Sequence, residues 1–257
     1  MIDNTAGGNA LMNPETEVSE KKAFELLHEE LNKGNIKPNE TGVILPFEKQ
    51  GEYFIESLGV LKAKPFYSFI KRFFDIVISF LGLIVLAIPM LIISIAIKCS
   101  SKGTIFYKQD RLGLNGRPMQ MVKFRTMRMD AEANGAQWSM GDDDPRIFPL
   151  GLKLRKLRID ELPQLWAVFK GELSLIGPRP ERECFYDEFE TYIHGFRERL
   201  KVKPGLTGLA QINGGYDLKP EEKIIYDIEY IKKRALLMDL KILIKTIGVV
   251  FKRDGAK

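Results

Sequence analysis

The sequence has few of the residues that bind transition metals or form disulfides. Its 257 residues include only two cysteines and two histidines. Cys99 and Cys184 lie far apart and match no metal-binding or redox spacing. Neither His28 nor His194 has a ligand-type neighbour at metal spacing, which excludes a multi-histidine metal site. A reducing compartment is the simplest interpretation.

Three sequence signals that define common protein classes are also missing. Residues 1–13 are polar and small, so we expect no secretory signal. No internal repeat is present. The pattern Gly-x-x-x-x-Gly-Lys does not occur, which disfavours nucleotide kinases and ATPases.

The charge balance favours an anionic partner. There are 39 lysines and arginines against 34 aspartates and glutamates, a formal net charge of +5. This balance suits phosphate-rich ligands or an anionic membrane surface. A nucleic-acid-binding protein would share it, but that class leaves a long apolar run and an adjacent carboxylate pair without purpose. We therefore expect no nucleic-acid partner.

The apolar run is Ile76–Ile97, 22 residues without a charge. As a helix it extends about 33 Å at ~1.5 Å per residue. A bilayer core is about 30 Å thick, and soluble helices rarely stay uncharged on every face for this length. The run predicts a membrane-embedded helix, with a buried soluble helix as the alternative.

Two features predict that this helix re-enters rather than spans. Pro89 lies inside the run, where it removes a backbone donor and bends or breaks a helix. Both flanks are basic, which by the positive-inside rule puts both on the cytoplasmic side. The flanking cations are Lys62, Lys64, Lys71, Arg72, Lys98, Lys102, Lys108 and Arg111. A kinked helix that spans the membrane remains the alternative.

These patterns divide the chain into three parts. Residues 1–62 are an N-terminal extension, disordered at its start, that either builds a homo-oligomer or is a surface appendage. Residues 63–103 form the membrane-embedded helix-break-helix. Residues 104–257 form the third part, soluble in character, which ends in an amphipathic helix over Ala235–Arg253, with a basic stripe that suits the membrane interface.

The third part, residues 104–257, alternates extended and helical patterns. We expect extended segments over Ile105–Gln109 and Met119–Phe124. We expect helices over Leu150–Arg158, Leu162–Lys170 and Pro220–Arg234, and Gly171 stands where a helix normally ends.

The segment Arg155–Gln164 carries the strongest chemical signal. It places two adjacent carboxylates, Asp160 and Glu161, after Arg155 and Arg158. Carboxylates hold Mg²⁺ and attack phosphorus, and arginines bind phosphate oxygens in a forked geometry. Asp160 also stands at a predicted helix start, where an aspartate is often only a cap.

Three further segments suit a phosphate ligand. Lys123 and Arg125 lie in a basic cluster preceded by Arg111. Arg179 lies between two prolines that fix its backbone. The glycines of Val202–Gln211 permit close backbone approach to a ligand. Each segment also has a structural interpretation: a solvated charge run or a tight turn.

Together these segments resemble the bacterial sugar transferase family, the monotopic phosphoglycosyl transferases, over about residues 71–253. Seven segments carry the resemblance in order: Lys71-Arg72-Phe73-Phe74-Asp75, the apolar helix, Phe106-Tyr107-Lys108-Gln109, Lys123-Phe124-Arg125-Thr126-Met127, Asp160-Glu161-Leu162-Pro163-Gln164, Ser174-Leu175-Ile176-Gly177-Pro178-Arg179-Pro180 and Lys203-Pro204-Gly205-Leu206-Thr207-Gly208. The chain departs from the family at Ile88, where members often carry serine before the proline.

The resemblance implies a fold and a location. The fold is α/β, a mostly helical compact catalytic domain with a re-entrant membrane helix and interfacial amphipathic helices. The protein would be monotopic, on the cytoplasmic face of the cytoplasmic (inner) membrane and in contact with membrane lipid.

The resemblance also implies a reaction. Asp160 attacks the sugar-side phosphate of a nucleotide diphosphate sugar, with UDP as the expected nucleotide. A polyprenyl phosphate then accepts the sugar 1-phosphate, which initiates exopolysaccharide, capsule or glycoconjugate synthesis. Glu161 and Asp160 are the expected Mg²⁺ ligands. The candidate substrate-binding residues are Lys123, Arg125, Arg155, Arg158, Arg179, Arg111 and Gln211.

A non-catalytic membrane subunit of polysaccharide export is the alternative function. A scaffold has no need for a carboxylate pair among arginines, so that pair distinguishes the two hypotheses.

Overall fold

The computed structural model describes residues 43–45, 49, 51–133, 135–138, 144–214 and 218–252. The disorder predicted for the start of the chain lies outside these residues, as does most of the predicted extension over 1–62.

A 36-residue helix, α1 (Pro65–Ser100), contains the whole apolar run. Pro65 occupies its first turn, where a missing N–H costs no intrahelical bond. Within the described residues, α1 is the one helix long and apolar enough to cross a membrane by length and composition. Large apolar side chains are exposed along it, including Phe69, Phe80, Val85 and Ile88. Water is a poor solvent for such a surface, so the helix fits a lipid environment.

The predicted break at Pro89 is wrong at the level of secondary structure, because α1 stays helical on both sides of this residue. A proline removes one backbone donor and strains the carbonyl four residues earlier. The other backbone hydrogen bonds of a long helix remain, so a single proline bends the helix without ending it.

Near its start, α1 is fastened to the rest of the protein by polar contacts. The Asp75 carboxylate is buried and accepts hydrogen bonds from Ser174 Oγ (3.1 Å) and from the Leu175 N–H (2.9 Å). Arg72 donates to the carbonyls of Val168 and Phe169, both at 2.7 Å.

Near its end, α1 is held by apolar packing. Ile97 is fully buried in a small cluster with Phe124, Phe148 and Leu154. Arg125 donates to the carbonyls of Ser101 and Lys102, just beyond the helix.

The first element after α1 is an antiparallel hairpin of β3 (Phe106–Leu112) and β4 (Pro118–Phe124). Phe106 pairs with Phe124 and Leu112 with Pro118. Both predicted extended segments are thus strands, each longer than expected.

The other strands are short and pair in parallel. β1 (Val43–Ile44) pairs with β5 (Ala136–Gln137), and β2 (Tyr53–Phe54) pairs with β7 (Ile193–His194). β6 (Ser174–Ile176) pairs with β8 (Gly205–Thr207).

The glycines beside β6 and β8 have a steric explanation. A Cβ atom on Gly205 would lie 2.0 Å from the Gly177 nitrogen, and one on Gly208 would lie 2.2 Å from the Gly177 carbonyl oxygen. Only glycine allows this approach of two backbones. This close approach fixes Gly177, two residues before Arg179, against the segment that contains Gly205 and Gly208.

Helices make up most of the remaining described chain, as predicted. They are α2 (Pro149–Lys156), α3 (Leu165–Lys170), α4 (Glu183–Glu190), α5 (Leu209–Asn213), α6 (Pro220–Lys233) and α7 (Leu236–Lys252), with 3-10 segments over Ile159–Gln164 and Phe196–Lys201. The helix predicted over Leu162–Lys170 is instead the end of the 3-10 segment Ile159–Gln164 followed by α3. Gly171 ends α3 in the left-handed conformation, as predicted (φ 90°).

Helix α7 lies against the domain through one narrow face that contains Asp239, Ile242, Leu243 and Thr246. Asp239 is buried and accepts hydrogen bonds from Tyr67 (2.9 Å), Lys71 (2.9 Å) and Tyr230 (2.9 Å).

The opposite side of α7 is exposed and mixed in character. Its exposed apolar residues are Leu236, Leu237, Leu240, Ile244 and Ile247, and its exposed cations include Lys241 and Lys245. Apolar and cationic groups on one exposed surface suit the headgroup region of a membrane.

Candidate active site

Asp160 and Glu161 lie in the 3-10 segment Ile159–Gln164, and both are buried. The residue before this segment, Arg158, has a left-handed backbone (φ 55°). A side chain larger than glycine rarely adopts that conformation, and such strain concentrates at functional sites. This turn lets the two adjacent carboxylates enter the protein interior together.

Glu161 is held by two cations. Lys123 on β4 donates to its Oε1 (3.1 Å), and Arg179 donates to both of its oxygens, with Nη1 3.2 Å from Oε2. Burial alone would raise the pKa of Glu161, but Arg179 and Lys123 outweigh it and hold the pKa well below its usual range. Glu161 is therefore a fixed anion.

Asp160 differs from Glu161 in its hydrogen bonding. No hydrogen bond or ion pair reaches its carboxylate from the residues that the structure describes. Burial, and then the negative charge of Glu161, raise the pKa of Asp160 to about 6, against the lowering effect of Lys123, Arg155 and Arg179. Its oxygens remain available to react, and at neutral pH most of the group is ionised. A carboxylate of this kind is suited to nucleophilic attack.

A cavity of about 280 Å³ opens beside Asp160. It brings together all but one of the residues predicted from sequence: Lys123, Arg125, Arg155, Arg158, Asp160, Arg179, Arg111 and Gln211. The exception, Glu161, lines a neighbouring cavity. The concentration of cations around one carboxylate suits a ligand with several negative charges, such as a diphosphate.

Arg111 and Arg125 make contacts within the protein as well as lining the cavity. Arg111 forms an ion pair with Glu181 (2.6 Å) and donates to the Pro180 carbonyl (2.7 Å). Arg125 is buried, and its guanidinium holds the carbonyls beyond α1. Both line the cavity, but their charges also stabilise its walls.

Gln211 contributes an amide to the cavity wall. Both its Oε1 and Nε2 are buried, and neither is hydrogen-bonded within the described part of the chain. An unsatisfied buried amide costs about 1–3 kcal/mol unless a ligand or water satisfies it. Gln211 is therefore well placed to bind a substrate oxygen.

The sequence interpretation missed several residues of the cavity wall, among them Trp138, Glu181, Arg199 and Lys223. Lys223 Nζ lies 4.6 Å from the ring centroid of Trp138, and burial lowers the pKa of this lysine to about 8. Arg199 forms a buried ion pair with Asp227 (2.5 Å). Only Glu181 had a sequence signal, since it follows the Pro-Arg-Pro segment directly.

The carboxylate pair fits a Mg²⁺ site completed by a ligand rather than one made by protein alone. Among the described residues no group of three or more potential metal-ligating side chains is present. Mg²⁺ commonly uses one or two carboxylates together with substrate phosphates and water. A Mg²⁺ ion held by Asp160 and Glu161 would therefore need further ligands from a bound substrate and water.

Comparison with known proteins gives one family and several relatives. The family model for bacterial sugar transferases matches residues 66–253. The chain is 40% identical over 203 residues to a UDP-N-acetylgalactosamine-undecaprenyl-phosphate N-acetylgalactosaminephosphotransferase of Aeromonas hydrophila, covering 78% of this chain and 48% of that one.

Two further relatives differ in length. The exopolysaccharide production protein ExoY of Sinorhizobium fredii is 39% identical over 200 residues, covering 72% of this chain and 87% of that one. A UDP-glucose:undecaprenyl-phosphate glucose-1-phosphate transferase of Escherichia coli is 36% identical over 192 residues, covering 73% and 41%. The chain thus spans less than half the length of two of these three relatives.

Proposed function

The chain belongs to the bacterial sugar transferase family, and from this premise we propose that it transfers a sugar 1-phosphate from a UDP-sugar to undecaprenyl phosphate. Relatives named for this activity on different sugars support the reaction class. The observation that carries the proposal is the difference in hydrogen bonding between the two adjacent carboxylates. Glu161 is held by Arg179 and Lys123, while Asp160 faces a cationic cavity with its oxygens unengaged by described residues.

In the first step, an Asp160 oxygen attacks the phosphorus that carries the sugar. A phosphorus–oxygen bond to Asp160 forms, the bond to the bridging diphosphate oxygen breaks, and UMP leaves with that electron pair. Arg155 and Arg158 line the cavity beside Asp160 and stabilise the charge that develops on the phosphate oxygens.

In the second step, an ionised oxygen of the lipid phosphate attacks the same phosphorus. The bond to Asp160 breaks, its carboxylate is restored, and a polyprenyl diphosphate sugar leaves. No proton has to be removed from the attacking group, so the site needs no general base.

Mg²⁺ is part of this proposal, with Asp160 and Glu161 as its protein ligands. When bound, the ion would neutralise the diphosphate and draw charge away from the leaving UMP. The cations Lys123 and Arg179 keep Glu161 ionised and oriented for that role.

We also propose that α1, while remaining helical, bends at Pro89 and so enters and leaves the membrane by its cytoplasmic face. The contacts of α1 support this topology. Asp75 near its start and Ile97 near its end are both buried against the same folded domain. A helix that crossed the bilayer would carry these two ends to opposite sides. A re-entrant α1 also keeps Asp160 where the lipid phosphate and the dissolved nucleotide sugar meet.

The deciding experiment is a donor panel. Purified protein in detergent is mixed with undecaprenyl phosphate and individual nucleotide sugars, and released UMP is measured. At least one UDP-sugar should give turnover that Asp160→Asn lowers by about a thousandfold or more. If no donor releases UMP above the level of that variant, the enzymatic proposal fails and a non-catalytic assembly role replaces it.

A further inference from the structure

A second cavity, of about 200 Å³, lies beside the first and differs from it in character. Its walls come from the 3-10 segment, α3, β6, β8, α5 and α7. Its apolar lining consists of Leu162, Leu165, Leu175, Leu206, Ile212 and Leu243. We call it the apolar cavity, and the one beside Asp160 the cationic cavity. Arg158 and Gln211 line both, so the two cavities meet at these residues.

The hydroxyl groups in the apolar cavity are occupied by each other and by backbone. Thr246 donates to the Ile242 carbonyl (2.9 Å), so Thr207 donates to Thr246 across their 2.8 Å contact. Glu161 is held by its two cations. Away from Arg158 and Gln211, the space therefore offers hydrocarbon rather than hydrogen-bonding groups to an occupant.

The proposed reaction restricts where the lipid acceptor binds. Entering and leaving oxygens are roughly in line at phosphorus. Asp160 attacks from the side opposite UMP, so the acceptor must later attack Asp160-bound phosphorus from the side that UMP has left. The acceptor phosphate thus takes the nucleotide's phosphate position in the cationic cavity, and its apolar chain needs a different exit.

The apolar cavity provides that exit. Its Leu243 belongs to α7, whose neighbouring residues Leu240, Ile244 and Ile247 are exposed. Hydrocarbon walls lead from the phosphate site toward the apolar surface of α7, which suits a chain whose remainder lies in lipid.

We propose that the apolar cavity binds the phosphate-proximal part of the polyprenyl chain during the second step, a site that rests on the proposed function. Its volume is below the roughly 300–1,000 Å³ of typical small-molecule sites, so only the beginning of the chain enters. Gln211 and Arg158, at the junction of the two cavities, contact the acceptor phosphate. UMP and acceptor then compete for phosphate contacts, whereas only the acceptor uses the apolar walls.

Leu243→Trp tests the site because it fills the apolar cavity without touching the cationic one. Two half-reactions are measured: exchange of labelled UMP into the UDP-sugar without acceptor, and transfer to undecaprenyl phosphate. Exchange should stay within about twofold, while kcat/KM for the lipid should fall at least tenfold. Leu237→Trp, an exposed position in the first turn of the same helix that does not line the cavity, is the matched control and should leave both unchanged.

An equal loss of both half-reactions, or no loss of transfer, would overturn the acceptor site. Absence of exchange in the unmodified protein would instead overturn the proposed function, so the two failures are distinguishable.

A second measurement does not depend on how the tryptophan variant folds. A polyprenyl phosphate carrying a diazirine near its phosphate is photolysed with the unmodified protein. Adducts should fall within residues 206–212 and 243–246, and excess undecaprenyl phosphate should suppress them. Adducts confined to the exposed side chains of α1 would refute the proposal.

Discussion

Arg179 and Glu161 form a two-point ion pair in which both terminal guanidinium nitrogens donate to one carboxylate. The pair joins the segment Gly177-Pro178-Arg179-Pro180 to the carboxylate pair. It also gives two adjacent acids different pKa values, because burial and then the fixed negative charge of Glu161 raise the pKa of Asp160.

Replacing Arg179 by lysine should impair catalysis although the charge is retained. Lysine presents a point charge and cannot donate to both oxygens of Glu161 in a fork. We expect UMP release per enzyme to fall at least about tenfold. Arg182→Lys is the matched control, since Arg182 pairs with Glu132 outside the carboxylate pair (2.8 Å). Equal activity of both variants would contradict a role for the fork.

The pH dependence of kcat/KM should reflect ionisation of Asp160. Burial and the charge of Glu161 raise its pKa to about 6, and only the carboxylate attacks phosphorus. Activity should therefore rise with pH up to about 6 and level off above it, falling about tenfold per pH unit on the acid side. UMP release measured from pH 5 to 8 at low donor concentration gives the profile. A rate that stays constant down to pH 5 would argue against Asp160 as the nucleophile.

Asp160→Asn should stabilise the folded protein at neutral pH. A carboxyl group whose pKa is higher in the folded than in the unfolded state costs stability where it is ionised, above about pH 6, and costs nothing where both states are protonated, below about pH 4. The gain should be of the order of 2 kcal/mol, or roughly 4–8 °C in Tm at pH 7.5. It should vanish at pH 4.

Thermal unfolding monitored by circular dichroism in detergent measures this effect. Asp187→Asn, at an exposed surface position, should change Tm little at either pH. A Tm of Asp160→Asn below that of the unmodified protein at pH 7.5 would contradict the prediction.

Activity should require a divalent cation. The diphosphate would otherwise face the carboxylates of Asp160 and Glu161 with too little neutralisation, because Lys123 and Arg179 are already engaged with Glu161. EDTA should stop UMP release, and excess Mg²⁺ should restore it. Undiminished turnover in chelator would mean that the cationic side chains suffice.

Both ends of α1 should be inaccessible from outside an intact cell. Single cysteines at Ser68 and Lys102 report the two ends, in a background where the exposed Cys99 and the partly buried Cys184 are replaced by serine. An impermeant thiol reagent should label neither site in intact cells and both sites after permeabilisation. Labelling of one site from outside would establish a spanning helix.

Local features of the sequence predicted much of the fold. The uncharged run predicted α1, the alternating segments predicted β3 and β4, and Gly171 marked the end of α3. The break at Pro89 was wrong because a single proline removes only one donor from a long helix.

The residues of the site that lie in sequence motifs were predicted, whereas those brought to it only by folding were not. Motif residues such as Asp160 and Arg179 stand out in sequence. The difference in environment between Asp160 and Glu161, however, depends partly on Lys123, which contacts Glu161 from 38 positions away in the chain. Lys223 and Trp138 carried no local signal, because only folding brings α6 beside the cavity. The engagement of Arg125 with the carbonyls beyond α1 was hidden in the same way.

The three donors to Asp239 come from α1 and α6, while Asp239 itself lies on α7. Loss of the carboxylate would leave Tyr67 and Tyr230 with buried hydroxyls and Lys71 with an unbalanced charge, whereas loss of one donor would leave the other two in place. Substitutions among these four positions are therefore expected to be non-additive. Over evolutionary time such a group changes together or not at all, so these positions should co-vary as one unit across the family.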